Sequence, residues 1–260
     1  MTKLDTTLPV GQIAVEYREA IPVFERFGID YCTQGSRSLK DACYLANAPL
    51  MEVLKALETI APPQREWYTE ERDWREEPMS ALVEHIIKVH HSYARSQMER
   101  IETLLEQMAS IDSERSPQLY ELHKLLSKMN EDFRDHMLEE EEVFFPYLLQ
   151  VEEALRKMEP LPRTFDGYNL QTHPLRILLS DHGLMGVEWK QVEELTHHFE
   201  TPTGASRRLK ELYEALKEFH RDNQKHVHLE NNILFYRAIR MGLLDQGGPR
   251  GGVTSPSSHF

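Results

Sequence analysis

From Met79 onward, apolar residues recur at three- and four-residue spacing through four long stretches, at about 79–108, 116–157, 174–199 and 204–242. Residues so spaced share one face of a helix, so each stretch predicts a long amphipathic helix. The breaks between them are MASIDSERSPQ, EPLPRTFDGYN and ETPTGAS. Each is rich in Pro, Gly, Ser or Asp, the residues that punctuate helices. No strand-like alternation is present. Short breaks favour antiparallel neighbours, so the expected fold is all-α, an up-down-up-down four-helix bundle.

The chain before Met79 reads differently. In AVEYREAIPVFERFGID the apolar residues keep helical spacing up to Gly28, a natural helix end. SRSLKDACYLA opens with a capping box in which Ser38 caps and Asp41 reaches back. A third short helix is expected after Pro49. The expected organisation is a small helical domain over 1–61, a charged Pro-containing linker over 62–78, the bundle over 79–245, and a Gly/Pro/Ser-rich disordered tail over 246–260.

Composition narrows the function. Of 260 residues, 40% are apolar, enough for a core, and 28% are charged. The net charge of −13 argues against nonspecific nucleic-acid binding, which needs clustered Lys and Arg. No run of about 18 apolar residues suggests a membrane span. The start MTKLDTTLPV lacks the apolar segment of a signal peptide, so a cytoplasmic protein is expected. Only Cys32 and Cys43 are present, which offers no disulfide framework.

Candidate chemistry lies in two related stretches, HMLEEEEVFF from His136 and HVHLENNILF from His226. Each sets a Glu four residues after a His, on one helix face. Such pairs arise by chance at this composition, so placement carries the argument. His136–Glu140 and His226–Glu230 are offset by 90 residues, and lone His91 and His182 by 91. Ile86 and Ile87 precede His91 as Ile177 and Leu178 precede His182. The second half of the bundle repeats the first. In each antiparallel hairpin the candidates are equidistant from the break, so all six reach one level.

Four imidazoles and two carboxylates meeting in a core need a counter-charge. Two iron or manganese ions supply it, and mixed nitrogen/oxygen sites suit iron, with carboxylates bridging and imidazoles terminal. Glu139, Glu141 and Glu142 are expected on a solvated face. The repeat decides for Glu140 over Glu139, which corresponds to Leu229. His85, His90 and His228 are expected to be structural or exposed. Asp132 or Asp181 is placed to orient a ligand imidazole. Phe144, Phe145, Leu234 and Phe235 are expected to dry the site, Cys43 to pack in the core, and Cys32 to lie in a loop, exposed or buried.

His91, HMLEEEEVFFP, LLSDHG with His182, and HVHLENNILF together resemble the hemerythrin-like domain of the Repair of Iron Centers family. FERFGIDYCTQGSRSLKDAC resembles the small domain preceding it there, and RDWREEPMSALVEHII the join. The resemblance covers nearly all of the chain except the tail. It implies a di-iron protein that repairs iron–sulfur clusters after nitrosative or oxidative damage. Its implied iron ligands are His91, His136, Glu140, His182, His226 and Glu230, with both glutamates bridging. The family's small domain carries two adjacent cysteines; here Cys32 is kept and Thr33 stands in the second place. One thiol is less able than two to bind metal or cycle as a dithiol, which leaves Cys32 as the catalytic candidate. Implied partners are damaged iron–sulfur proteins, with no nucleic acid or membrane, and a homodimer is left open. The alternatives are reversible dioxygen or nitric oxide binding or sensing, and nitric oxide reduction, at the same centre. No flavin or nicotinamide motif is present.

Overall fold

The computed structural model describes residues 5–59, 72–112, 117–162 and 173–241. The first part of the expected linker and the whole expected tail lie outside them. No strand occurs among the described residues, only an isolated bridge between Pro9 and Ser38.

The small domain contains α1 (Val10–Glu16), α2 (Ile21–Arg26), α3 (Leu39–Leu45) and α4 (Leu50–Glu58). The single helix expected before Gly28 is broken. Tyr17 leaves helical geometry at φ −131, a 3-10 turn follows at Arg18–Ala20, and α2 restarts with Pro22 in its first turn. Proline fits there because a first-turn N–H has no partner to lose. Gly28 ends α2 at φ +64, as its spacing implied. The Ser38 hydroxyl caps α3 by accepting from the Asp41 N–H at 3.1 Å. Asp41 returns to that hydroxyl rather than to the Ser38 backbone, at 2.7 Å.

Four long helices follow. The first, α5 (79–112), joins Met79–His85, Ile86–His91 and Ser92–Asp112; α6 (117–157) joins Pro117–Glu139, Glu140–Phe144 and Phe145–Lys157. Then come α7 (Pro174–Leu195) and α8 (207–240), which joins Arg207–His228, Leu229–Leu234 and Phe235–Arg240. In the bundle α5 packs on α8 and α6, and α6 packs on α7. Glu152 of α6 caps the start of α5, accepting from the N–H groups of Met79 at 2.5 Å and Ser80 at 3.0 Å. Ser206 caps α8 and His173 caps α7. The third helix stops four residues before the expected 199, because His197, His198 and Phe199 all adopt positive φ. Side chains other than Gly and Asn resist that region, so no helix continues through it.

Two features point to the site. Three of the long helices contain a π-helical turn: Ile86–His91, Glu140–Phe144 and Leu229–Leu234. Such turns place an extra residue in the spiral and gather at functional sites. The hydrophobic core is also split. One apolar cluster holds Ala94, Met98, Phe133, Met137, Met185 and Val227 with the small domain's interior. The other holds Ile86, Phe144, Phe145, Leu178, Leu234 and Phe235. On every bundle helix the candidate His or Glu falls between the two clusters, so a polar layer crosses the bundle.

Candidate metal centre

All six candidate residues are buried, with none above 4% exposed. His91 closes the π-helical turn of α5, Glu140 opens that of α6, and Glu230 lies in that of α8. His136 and His226 sit one turn before the glutamates, and His182 comes from α7.

The side chains form two pockets sharing both carboxylates. In one, His91 Nε2 and His226 Nε2 are 3.1 Å apart. In the other, His136 Nε2 and His182 Nε2 are 2.9 Å apart. Glu140 turns Oε2 to His91 at 3.4 Å and Oε1 to His136 at 3.5 Å. Glu230 turns Oε1 to His226 at 2.8 Å and Oε2 to His182 at 3.3 Å. In each pocket four donor atoms, two imidazole nitrogens and two carboxylate oxygens, lie within 4.8 Å of one another.

This arrangement fits a pair of cations. Both oxygens of Glu140 and Oε2 of Glu230 are buried with no hydrogen-bond partner. Leaving buried charged oxygens unpaired is costly, and a metal ion in each pocket satisfies them. The imidazoles agree. His91 Nδ1 faces Glu141 Oε1 at 2.6 Å and His182 Nδ1 faces Asn231 Oδ1 at 2.8 Å. Both partners accept, so both Nδ1 atoms carry a proton and Nε2 is the nitrogen each ring would offer to a metal ion.

Burial and the facing charges set where protons sit in the cluster when no metal is bound. Burial lowers the pKa of His91, but the facing carboxylates of Glu140 and Glu230 override it and raise the pKa to about 10. Burial also opposes the charge on His136, and Glu140 with Asp181 lifts it likewise to about 10. His226 is lowered by burial. Burial pushes both glutamates up, yet the surrounding histidines outweigh it and hold both below the usual carboxylate range. Protons on His91 and His136 therefore stand in for the missing positive charge.

The outer partners correct one expectation. Glu141 is not on a solvated face; it bonds His91 and is itself held by Arg95 Nη2 at 2.8 Å. The π-helical turn swings it inward beside Glu140. Of the two aspartates, Asp181 meets His136 Nδ1 at 3.5 Å, whereas Asp132 pairs with Lys128 at 2.6 Å. His90 is buried, pairs with Asp222 at 3.1 Å and stacks on His226. His85 packs on Trp74, and buried His228 meets Tyr31 edge-on. Phe145 stacks on His91 and Phe235 on His182, which keeps water from the layer.

The family model described as the hemerythrin HHE cation binding domain matches residues 82–238, the bundle with its six-residue layer. The chain belongs to the hemerythrin HHE cation binding domain family. A second model, described as a domain of unknown function (DUF542), matches residues 6–61, the small domain. Similar proteins include the iron-sulfur cluster repair protein YtfE of Pectobacterium carotovorum, 27% identical over 231 residues, covering 89% of this chain and 96% of the relative. A probable iron-sulfur cluster repair protein of Haemophilus influenzae is 27% identical over 230 residues, covering 88% and 96%. The YtfE protein of Yersinia pseudotuberculosis is 27% identical over 232 residues, covering 89% and 96%. The expected resemblance to a small domain followed by a hemerythrin-like domain is borne out by these matches.

In this HHE protein the small domain sits against the centre. Its loop is folded around Asp30, whose Oδ1 accepts from the N–H groups of Cys32, Thr33 and Gln34 at 3.2, 2.8 and 3.3 Å. The Thr33 hydroxyl donates to Asp30 Oδ2, so the residue in the second-cysteine place holds the loop together. Cys32 does not enter the six-residue cluster. It is 5% exposed, its thiol faces Asp30 at 3.4 Å, and burial beside that carboxylate pushes its pKa well up. A thiol so placed stays protonated and is a poor nucleophile or metal ligand. Cys43 is buried in the small domain's core, as expected. Sequence reasoning missed Asn231, which bonds His182 and donates to the Cys32 carbonyl at 3.1 Å. The signal was two consecutive amides directly after Glu230 in HVHLENNILF.

Proposed function

We propose that the two pockets hold a carboxylate-bridged pair of iron ions and that the protein repairs iron–sulfur clusters damaged by nitrosative or oxidative stress. His91 and His226 would hold one ion and His136 and His182 the other, with Glu140 and Glu230 contributing an oxygen to each. The observation carrying this is that each carboxylate directs one oxygen into each pocket, with three of the four oxygens otherwise unpartnered. Bound ferrous ions supply a store of transferable iron, the cargo of the repair. The chain's own residues supply a dry layer, fixed imidazole orientations and, in His91 and His136, the bases that take up protons when metal leaves. The relatives carrying repair in their names support this reading. We place the protein in the cytoplasm, with damaged iron–sulfur proteins as its partners. No helix among the described residues is long and apolar enough to cross a membrane.

The test mixes anaerobically iron-loaded protein with a nitric-oxide-damaged iron–sulfur dehydratase and follows recovered activity. Recovery above an equal amount of free ferrous iron is expected; recovery equal to that control refutes donation. A second reading is dioxygen or nitric oxide binding at the same pair. It is favoured by a cavity of about 30 Å³ lined by Met98, Ile101, Leu105, Leu126 and Phe133, whose ring packs against His136 and His226. Reversible spectral change on adding gas, with both irons retained, distinguishes it from donation.

A further inference from the structure

The ligand histidines are not held alike. His91 is oriented by Glu141 and His136 by Asp181, both residues of the bundle. His182 is oriented by Asn231, a neutral amide whose other end is tied to the small domain. The next residue repeats that tie: Asn232 Nδ2 donates to the Tyr31 carbonyl at 2.9 Å. Both amides lie in the π-helical turn Leu229–Leu234, the turn that carries bridging Glu230. The small domain fits closely here. A Cβ at Gly35 would lie 2.4 Å from Asn232 Oδ1 and 2.8 Å from the Tyr31 carbonyl, and one at Gly11 would lie 2.4 Å from Asn232 Oδ1. On the neighbouring helix, a Cβ at Gly186 would lie 2.8 Å from Thr33 Oγ1. One turn therefore serves both as docking surface and as part of the metal layer.

We propose that Asn231 is a positioning residue through which docking of the small domain sets how firmly the His136–His182 pocket holds its metal. With the loop docked, the Cys32 carbonyl fixes the amide, and the amide oxygen fixes the His182 ring with Nε2 inward. When the loop withdraws, Asn231 loses its anchor and His182 its orientation, while the carboxylate partner of His91 is untouched. The His136–His182 pocket thus gives up its ion first, and the trigger is displacement of the small domain. The inference rests on the two-ion reading proposed above.

The test uses the full chain loaded with cobalt(II), whose visible spectrum reports each ion as excess chelator removes it. Gly35→Ala undocks the loop without touching any ligand or Asn231. One of the two ions should leave about tenfold faster than in the parent protein and the other at the parent rate, the scale expected for losing an outer partner of a metal-bound histidine. The exchangeable Nδ1 proton of His182, shifted by cobalt, should exchange faster with solvent while that of His91 does not. Asn231→Ala should mimic Gly35→Ala. Asn231→Asp, which keeps an acceptor for His182 but loses the donor to Cys32, should also release one ion faster than the parent protein does. Equal release of both ions in Gly35→Ala, or release at the parent rate from Asn231→Asp, overturns the proposal. Should Gly35→Ala fail to fold, the pair at 231 decides alone. A parent protein binding fewer than two cobalt ions removes the two-ion reading and this inference together. Selective release without cluster repair leaves this inference standing and removes only iron donation.

Discussion

Loading the centre with metal should expel protons, and their number follows from the geometry. Metal-free, His91 and His136 have pKa values of about 10 because two buried carboxylates face them. Both are charged at pH 7. A divalent ion needs the Nε2 lone pair, so each must first lose its proton. At three units below the pKa, deprotonation costs about 4 kcal/mol for each imidazole. His226 is lowered by burial and both glutamates are held low by the histidines, so these residues are already in ligand form. Filling both pockets should therefore release about two protons per chain, and the combined affinity should rise on the order of 100-fold for each unit of pH below 10. Calorimetric cobalt(II) titrations in two buffers of different ionisation enthalpy measure the proton count directly. Release of less than one proton, or affinity flat between pH 6.5 and 8, would refute the idea that histidine protons substitute for the metal charge.

The same shifts govern metal-free stability. The two histidines are raised from 6.5 to about 10, so their contribution is complete below pH 6.5 and disappears as the pH climbs through 10. The urea midpoint of metal-free protein should fall over that window and stay level when metal is bound; a level metal-free profile contradicts the assignment. Glu230→Gln takes a charged donor from both pockets, so metal content should drop below one ion per chain with helicity retained, and two retained ions would rule out its bridging role. Glu141→Gln replaces the carboxylate that orients His91 with a neutral acceptor; cobalt affinity should fall roughly 10- to 100-fold at unchanged stoichiometry, and unaltered affinity would return Glu141 to the surface. Phe235→Ala removes a fully buried ring stacked on His182. It should cost about 3–5 kcal/mol in chemical denaturation, and a loss under 1 kcal/mol would mean the ring is not part of the packed layer.

Much of this was legible before any coordinates. Helical spacing and the punctuating breaks gave four bundle helices, since periodicity and Pro/Gly chemistry are local. The near-equal offsets of the His and Glu positions gave the six residues that converge, because antiparallel hairpins turn sequence symmetry into a common height. What escaped notice depends on departures from the regular spiral. The π-helical turns rotate the following residues, so Glu141, assigned to solvent by ideal spacing, swings to His91, and Asn231 comes to lie over His182. The left-handed run at His197, His198 and Phe199 shortens α7 and has no local residue signature. The burial of Cys32 was equally out of reach, since it is set by the bundle against which its loop packs.

The most direct test of the central claim is elemental analysis and Mössbauer spectroscopy of the protein loaded anaerobically with iron-57. Glu140 and Glu230 each spanning both pockets predicts two irons per chain that are magnetically coupled. A single iron per chain, or two that behave as isolated ions, would contradict it.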